Sequence, residues 1–61
     1  MYEIAEKLLK DRGESWYQVG KATGIASATF TNWKQGKYRP KHDKLKKLAD
    51  YFGVSVDVFY N

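Results

Sequence analysis

Apolar residues recur along this chain at intervals of three and four, with polar residues filling the gaps. Ile4, Ala5, Leu8 and Leu9 form one stripe. Val19, Ala22 and Thr23 form a second, Phe30 and Trp33 a third, and Leu45, Leu48, Ala49 and Phe52 a fourth. Such spacing puts side chains on one side of a 3.6-residue turn, so each stripe predicts an amphipathic helix. A last apolar group, Val56, Val58, Phe59 and Tyr60, predicts a short fifth helix and holds more apolar surface than one small turn can bury alone. The expected helices span about 2–12, 16–23, 27–35, 42–52 and 56–60.

Local chemistry sets the ends of these segments. Gly13 closes the first. Glu3 and Glu6 lie in its early turns and Lys10 and Arg12 in its last, as the helix dipole favours. Glu3–Lys7 and Glu6–Lys10 stand at i,i+4 and are expected to pair. Ser15 followed by Gln18 makes a capping box for the second helix. Gly24 can take the positive φ that a helix C-terminus often needs. Ala26 holds the cap position of the third helix but has no capping side chain; Ser27 is the alternative cap, one residue later. Gly36 ends that helix, and Pro40 excludes helix from the loop that follows. Gly53 closes the fourth helix. Ser55 caps the fifth, with Val54 and Phe59 placed as a hydrophobic staple. Gly20, inside the second helix, costs roughly 1 kcal/mol relative to Ala, which makes sense if the third helix packs close against it.

The third helix has two unlike faces. Phe30 and Trp33 point one way, with Thr29 beside them; Ala28, Thr31, Asn32 and Gln35 point the other, flanked by Ser27. The second face is small, polar and rich in groups that meet base edges, although a plain solvated face has the same composition. Asn pairs bidentately with adenine, Ala and Thr methyls meet the thymine methyl, and Ser and Thr hydroxyls serve either way. The centre of this face has no Arg or Lys, the commonest guanine-reading contact, so A·T pairs would be favoured if the face met DNA.

Charge sharpens this picture. The net charge is +4, and the sequence pI is about 9.4. Between residues 34 and 47 stand seven cations, Lys34, Lys37, Arg39, Lys41, Lys44, Lys46 and Lys47, against the single acid Asp43; the remainder of the chain is net acidic. That asymmetry suggests an anionic partner near the middle of the chain, against the alternative of a Lys-rich solvated helix. Lys46 and Lys47 lie opposite the core stripe and fit the solvated reading. A chain of 61 residues makes one domain with a small core. Its hydrophobic fraction of 43% is too high for a disordered tail.

Residues 15–60 resemble the helix-turn-helix domain of the Cro and lambda-repressor-like family, also called the XRE family. The resemblance rests on Ser15, Val19-Gly20, Thr23-Gly24-Ile25, Phe30 and Trp33. It continues through Gly36-Lys37, Pro40, Leu45, Leu48-Ala49, Phe52-Gly53-Val54-Ser55 and Phe59, about three-quarters of the chain without a gap. Residues 2–13 fit the first helix of that fold. The resemblance implies an all-α, compact five-helix bundle with the helix-turn-helix at helices two and three. It also implies a sequence-specific double-stranded DNA-binding regulator of the phage repressor, Cro or mobile-element kind, acting on a pseudo-palindromic operator. Ser27, Ala28, Thr31 and Asn32 then enter the major groove. Tyr17, Lys34, Gln35, Lys37, Tyr38, Arg39 and Lys41 are the expected phosphate contacts. Trp16 stands where the family often has a Gln that braces the recognition helix and touches a phosphate; it either donates its one N–H to a phosphate or packs against a neighbouring helix. The family usually has Ala at Gly20, which makes that departure mild. The fifth helix often supplies the dimer contact, here Val56, Phe59 and Tyr60; alternatively Phe59 closes the core and Tyr60 frays. A homodimer would set two recognition helices about 34 Å apart.

Other functions have less support. There is no Cys and one His, His42, so neither a thiol nucleophile nor a His or Cys metal cluster is expected, and no cofactor. An enzyme is not expected. No apolar run approaches the roughly 20 residues of a membrane span, and an ordinary cytoplasmic protein of a bacterium or its phage fits. Two alternatives remain: the antitoxin of a toxin–antitoxin pair, using the apolar surface at 54–60 for its protein partner, and an interaction module that kept the fold.

Overall fold

In the computed structural model, which describes residues 1–60, the chain folds into four α-helices and a terminal 3₁₀ turn. They are α1 (Tyr2–Asp11), α2 (Trp16–Thr23), α3 (Ser27–Lys34) and α4 (His42–Phe52), followed by the 3₁₀ turn Val56–Tyr60. The all-α class is as expected. The fifth helix is a 3₁₀ turn, and helices one and three each end one residue earlier than expected.

The stripes of α1, α3 and α4 supply the core, but that of α2 does so only at Val19: this short helix buries Val19 and Gly20, leaving Ala22 exposed and Thr23 half-buried. Ala5 and Leu9 of α1, Val19 of α2, Phe30 and Trp33 of α3, Leu45, Leu48, Ala49 and Phe52 of α4, and Phe59 are all buried, together with Ile25 from the turn. Polar and charged side chains are excluded from this interior among the described residues. Full burial of Phe59, at 1% exposure, removes it from the expected dimer surface: the 3₁₀ turn is too short to bury its apolar side chains itself and inserts this ring between α1 and α4.

Two caps fix where α3 lies. The capping box at α2 forms in both directions: Gln18 N–H donates to Ser15 Oγ (3.3 Å), and Ser15 N–H to Gln18 Oε1 (2.8 Å). At the other end Gly24 takes φ 78°, its N–H bonding to Gly20 C=O at 2.8 Å. This left-handed residue turns the chain sharply enough for Ile25 to drop into the core. Ala26, not Ser27, holds the cap position of α3. Ser27 is therefore the first helical residue.

The Gly20 expectation needs correcting. A Cβ there would lie 2.6 Å from the backbone oxygen of Ile25, whereas the nearest atom of α3, on the Phe30 ring, would be 3.7 Å away. The close neighbour is the turn itself, and Ala at this position is not a mild change in this chain. The i,i+4 pairs also rearrange. Lys10 approaches Glu6 at 3.9 Å, but Lys7 pairs with Asp11 (3.2 Å), while Glu3 takes the N-terminal amine (3.1 Å).

A polar tie joins the loop between α1 and α2 to α4. Glu14 accepts from the Tyr51 hydroxyl and from Arg12 Nε, and the Arg12 guanidinium lies 4.9 Å from the Tyr51 ring centre. The hydroxyl and the guanidinium hold the Glu14 carboxyl below its usual range, and the same carboxylate pushes the Tyr51 phenol up.

Candidate nucleic-acid interface

The outer face of α3 is built by what its inner face buries. Phe30 and Trp33, three residues apart, point into the core at 2% and 6% exposure. Helical geometry then turns Ser27, Ala28, Thr31, Asn32 and Gln35 outward, and all five are exposed, with Thr29 half-buried at the edge. The helix is eight residues long, and an α-helix with its side chains is about 10–12 Å across, which a major groove about 12 Å wide admits.

Gly36, at φ 77°, turns the chain back at the end of α3, where Lys37 N–H bonds to Asn32 C=O at 2.9 Å. This carries Lys37, Arg39 and Lys41 onto the surface beside α3. Pro40 is buried and pins the loop. Tyr38, between two exposed cations, is half-buried and packs on the core. Trp33, Lys34, Lys37, Tyr38 and Arg39 share an open groove of about 510 Å³ with Met1.

The cations divide into two sets. Lys7, Lys10, Arg12 and Lys46 each have a carboxylate within 4 Å. Among the described residues no carboxylate comes that close to Lys21, Lys34, Lys37, Arg39, Lys41, Lys44 or Lys47. Of these seven, Lys34, Lys37, Arg39 and Lys41 lie at the end of α3 and in the loop after it, while Lys21 is on α2 and Lys44 and Lys47 are on α4. Such charge attracts polyanions and is screened by salt.

The remaining expected contacts are placed as follows. Tyr17 is 65% exposed, with Lys21 Nζ 5.5 Å from its ring centre, and both line a shallow groove with Ser27 at the start of α3. Lys21 was absent from the expected contacts; its i,i+4 spacing from Tyr17 was the available signal. Trp16 departs from the phosphate set. Its Nε1–H donates to the Tyr2 hydroxyl at 3.0 Å, and its ring stacks on Phe30 at 4.4 Å between centroids and 16° between planes. With its one donor engaged inside the fold, Trp16 is a packing residue. Burial raises the Tyr2 phenol above its ordinary value, with the Trp16 hydrogen bond acting the other way. His42 faces the C-terminal turn, its Nδ1 3.1 Å from the Tyr60 hydroxyl and the two rings stacked at 6.2 Å. Tyr60 is 53% exposed, and Val56 and Val58 are half-buried.

No helix among the described residues is long and apolar enough to cross a membrane. Comparison with known proteins meets this geometry at the same residues. A family model for the Cro/C1-type HTH DNA-binding domain matches residues 6–57, which contain α2, α3 and the cationic loop. Over 40 residues the chain is 32% identical to an uncharacterised HTH-type transcriptional regulator of Haemophilus influenzae. The match covers 66% of this chain and 17% of that relative. No solved structure matches significantly. From the turn at Gly24, the outward polar face of α3 and the family match over residues 6–57, the chain belongs to the Cro/C1-type helix-turn-helix DNA-binding domains.

Proposed function

We propose that this chain reads double-stranded DNA as a sequence-specific transcriptional regulator, with α3 in the major groove. The carrying observation is the small polar face of α3 bordered by cations that have no carboxylate partner among the described residues. Ser27, Ala28, Thr31 and Asn32 read base edges, with A·T pairs favoured. Lys34, Gln35, Lys37, Tyr38, Arg39 and Lys41, together with Tyr17, hold the phosphates and set the register. The protein is a binder rather than an enzyme, and it works where the DNA is, in the cytoplasm of a bacterium or of a phage-infected cell.

The chain's longest dimension is 24 Å. Successive major-groove half-sites on one face of the duplex lie roughly 34 Å apart. One copy therefore reaches one half-site, and a pseudo-palindromic operator takes a homodimer. Val56 and Tyr60, without the buried Phe59, are the dimer contacts. Occupancy of such an operator represses by blocking polymerase.

The test is a titration of the purified chain on a randomised duplex pool at two salt concentrations, followed by sequencing of the bound fraction. An enriched pseudo-palindrome, with affinity falling steeply as salt rises, is the expected result. Salt-sensitive binding without enrichment leaves a non-specific binder. A folded chain that binds no DNA at low salt refutes the proposal and favours a protein partner at residues 54–60, as in an antitoxin.

A further inference from the structure

We infer that His42 is a positioning residue for self-association: it holds Tyr60 ready for a second copy of the chain and fastens that contact to the end of the cationic loop. The inference rests on the homodimer proposed above. Tyr60 is the last residue of the 3₁₀ turn. Short 3₁₀ segments have poor hydrogen-bond geometry and hold their ends weakly. Bonds to Ser55 secure the start of this one, from Val58 N–H to the carbonyl (3.2 Å) and from Asp57 N–H to Oγ (3.3 Å). Phe59 is locked in the core, whereas Tyr60 beside it is 53% exposed. What meets Tyr60 is His42, eighteen positions earlier. Its Nδ1 lies 3.1 Å from the Tyr60 hydroxyl, and the rings stack at 6.2 Å and 20°.

His42 can brace Tyr60 because its own backbone is fixed. It is the first residue of α4, and Lys41 is the N-cap. Lys44 and Leu45 both donate their N–H to the Lys41 carbonyl at 3.1 Å, and the Leu45 side chain is buried in the core. The turn that anchors the end of the cationic loop therefore also carries the His42 ring. Among the described residues no carboxylate lies within 4 Å of His42, so Tyr60 is its polar partner. A tyrosine already held in one rotamer loses less freedom when a second copy covers it. A two-fold interface contains the contact once per copy, so its effect counts twice. An exposed hydrogen bond lies near the weak end of its range, about three-fold in an equilibrium constant per copy and so roughly ten-fold for the dimer.

His42→Ala removes the stack and the hydrogen bond. His42→Asn keeps a polar group near the position of Nδ1 without the ring, and Tyr60→Phe keeps the ring without the hydroxyl. Sedimentation equilibrium gives the dimer dissociation constant of each, and fluorescence anisotropy gives affinity for the selected operator and for a duplex carrying one half-site. With His42→Ala the dimer constant should rise about ten-fold, while half-site affinity and its salt slope stay as in the wild-type. His42→Asn and Tyr60→Phe should fall between. Circular dichroism checks that each variant is folded. His42 stands beside Lys41, so the competing role is a phosphate contact of its own. Half-site affinity that falls with His42→Ala, with a salt slope shallower by about one, assigns that role and overturns the inference. An unchanged dimer constant in the folded Ala variant overturns it too, as does a wild-type that stays monomeric. Failure of the DNA-reading role shows separately, as a wild-type that enriches no sequence; sedimentation without DNA then still decides the brace.

Discussion

Replacing Gly20 with Ala sets two calculable effects against each other. Gly20 lies inside α2, where Ala is favoured by roughly 1 kcal/mol on helix propensity. Against this, the added methyl would stand 2.6 Å from the Ile25 carbonyl oxygen. Even a close C–H···O contact is about 3.3–3.6 Å, so the turn must open by about 0.7–1 Å. No rotamer change relieves the clash, because the opposing atom is backbone. Nor is the turn free to move: Gly24 N–H is bonded to Gly20 C=O, Thr23 Oγ1 to Val19 C=O (2.7 Å), and the Ile25 side chain is 5% exposed. Forcing extra atoms into packed surroundings costs about 1–3 kcal/mol. The steric effect wins, and Gly20→Ala should destabilise by about 1 kcal/mol, or about 4–8 °C in Tm for a domain of this size. Thermal unfolding followed by far-UV circular dichroism measures it. Ala22→Gly, at an exposed site of the same helix, calibrates the propensity effect and should lower Tm. A Tm for Gly20→Ala equal to or above wild-type would refute the reasoning, because propensity would then outweigh the clash.

Four further outcomes are expected. Ser15→Ala removes one side of the capping box and should cost about 0.5–2 kcal/mol in thermal or denaturant unfolding, with Ser15→Gly costing less. Asn32→Ala should lose about 1–3 kcal/mol of binding to the selected operator and relax preference at one base pair, read by competition with single-substitution duplexes. Equal losses on selected and random DNA would take Asn32 out of the base-reading set. Lys37→Ala should weaken all duplexes alike and shallow the slope of log affinity against log salt by about one. Glu14 has a folded pKa below its ordinary 4.5, because Tyr51 and Arg12 bond to the ionised form. Its contribution is complete above the unfolded value and is lost as pH falls through the folded one. The Tm difference between wild-type and Glu14→Gln should therefore shrink on acidification below pH 4.5; a constant difference would mean that the tie does not depend on charge.

Much of the fold was legible because it is encoded locally. The stripes on α1, α3 and α4 need only the helical period, the Ser15–Gln18 box spans four residues, and Gly24 marks a turn wherever it lies in space. The outward face of α3 was readable too, since burying Phe30 and Trp33 leaves Asn32 and Thr31 no inward direction. What the sequence by itself determined is thus which residues form each helix and which side of it seeks the core. Only the tertiary structure decided partners between groups that could serve either way. Trp16 is amphipathic, and its N–H went to Tyr2, fourteen positions earlier. Glu14 found Tyr51, thirty-seven positions later. Phe59 left the surface because α1 and α4 enclose it, and Gly20 became costly to replace because a turn carbonyl crosses over it. Periodicity and capping act over one or two helical turns and leave open which helix lies against which. A side chain with both an apolar body and a polar tip is assigned only when that arrangement supplies, or withholds, its neighbour.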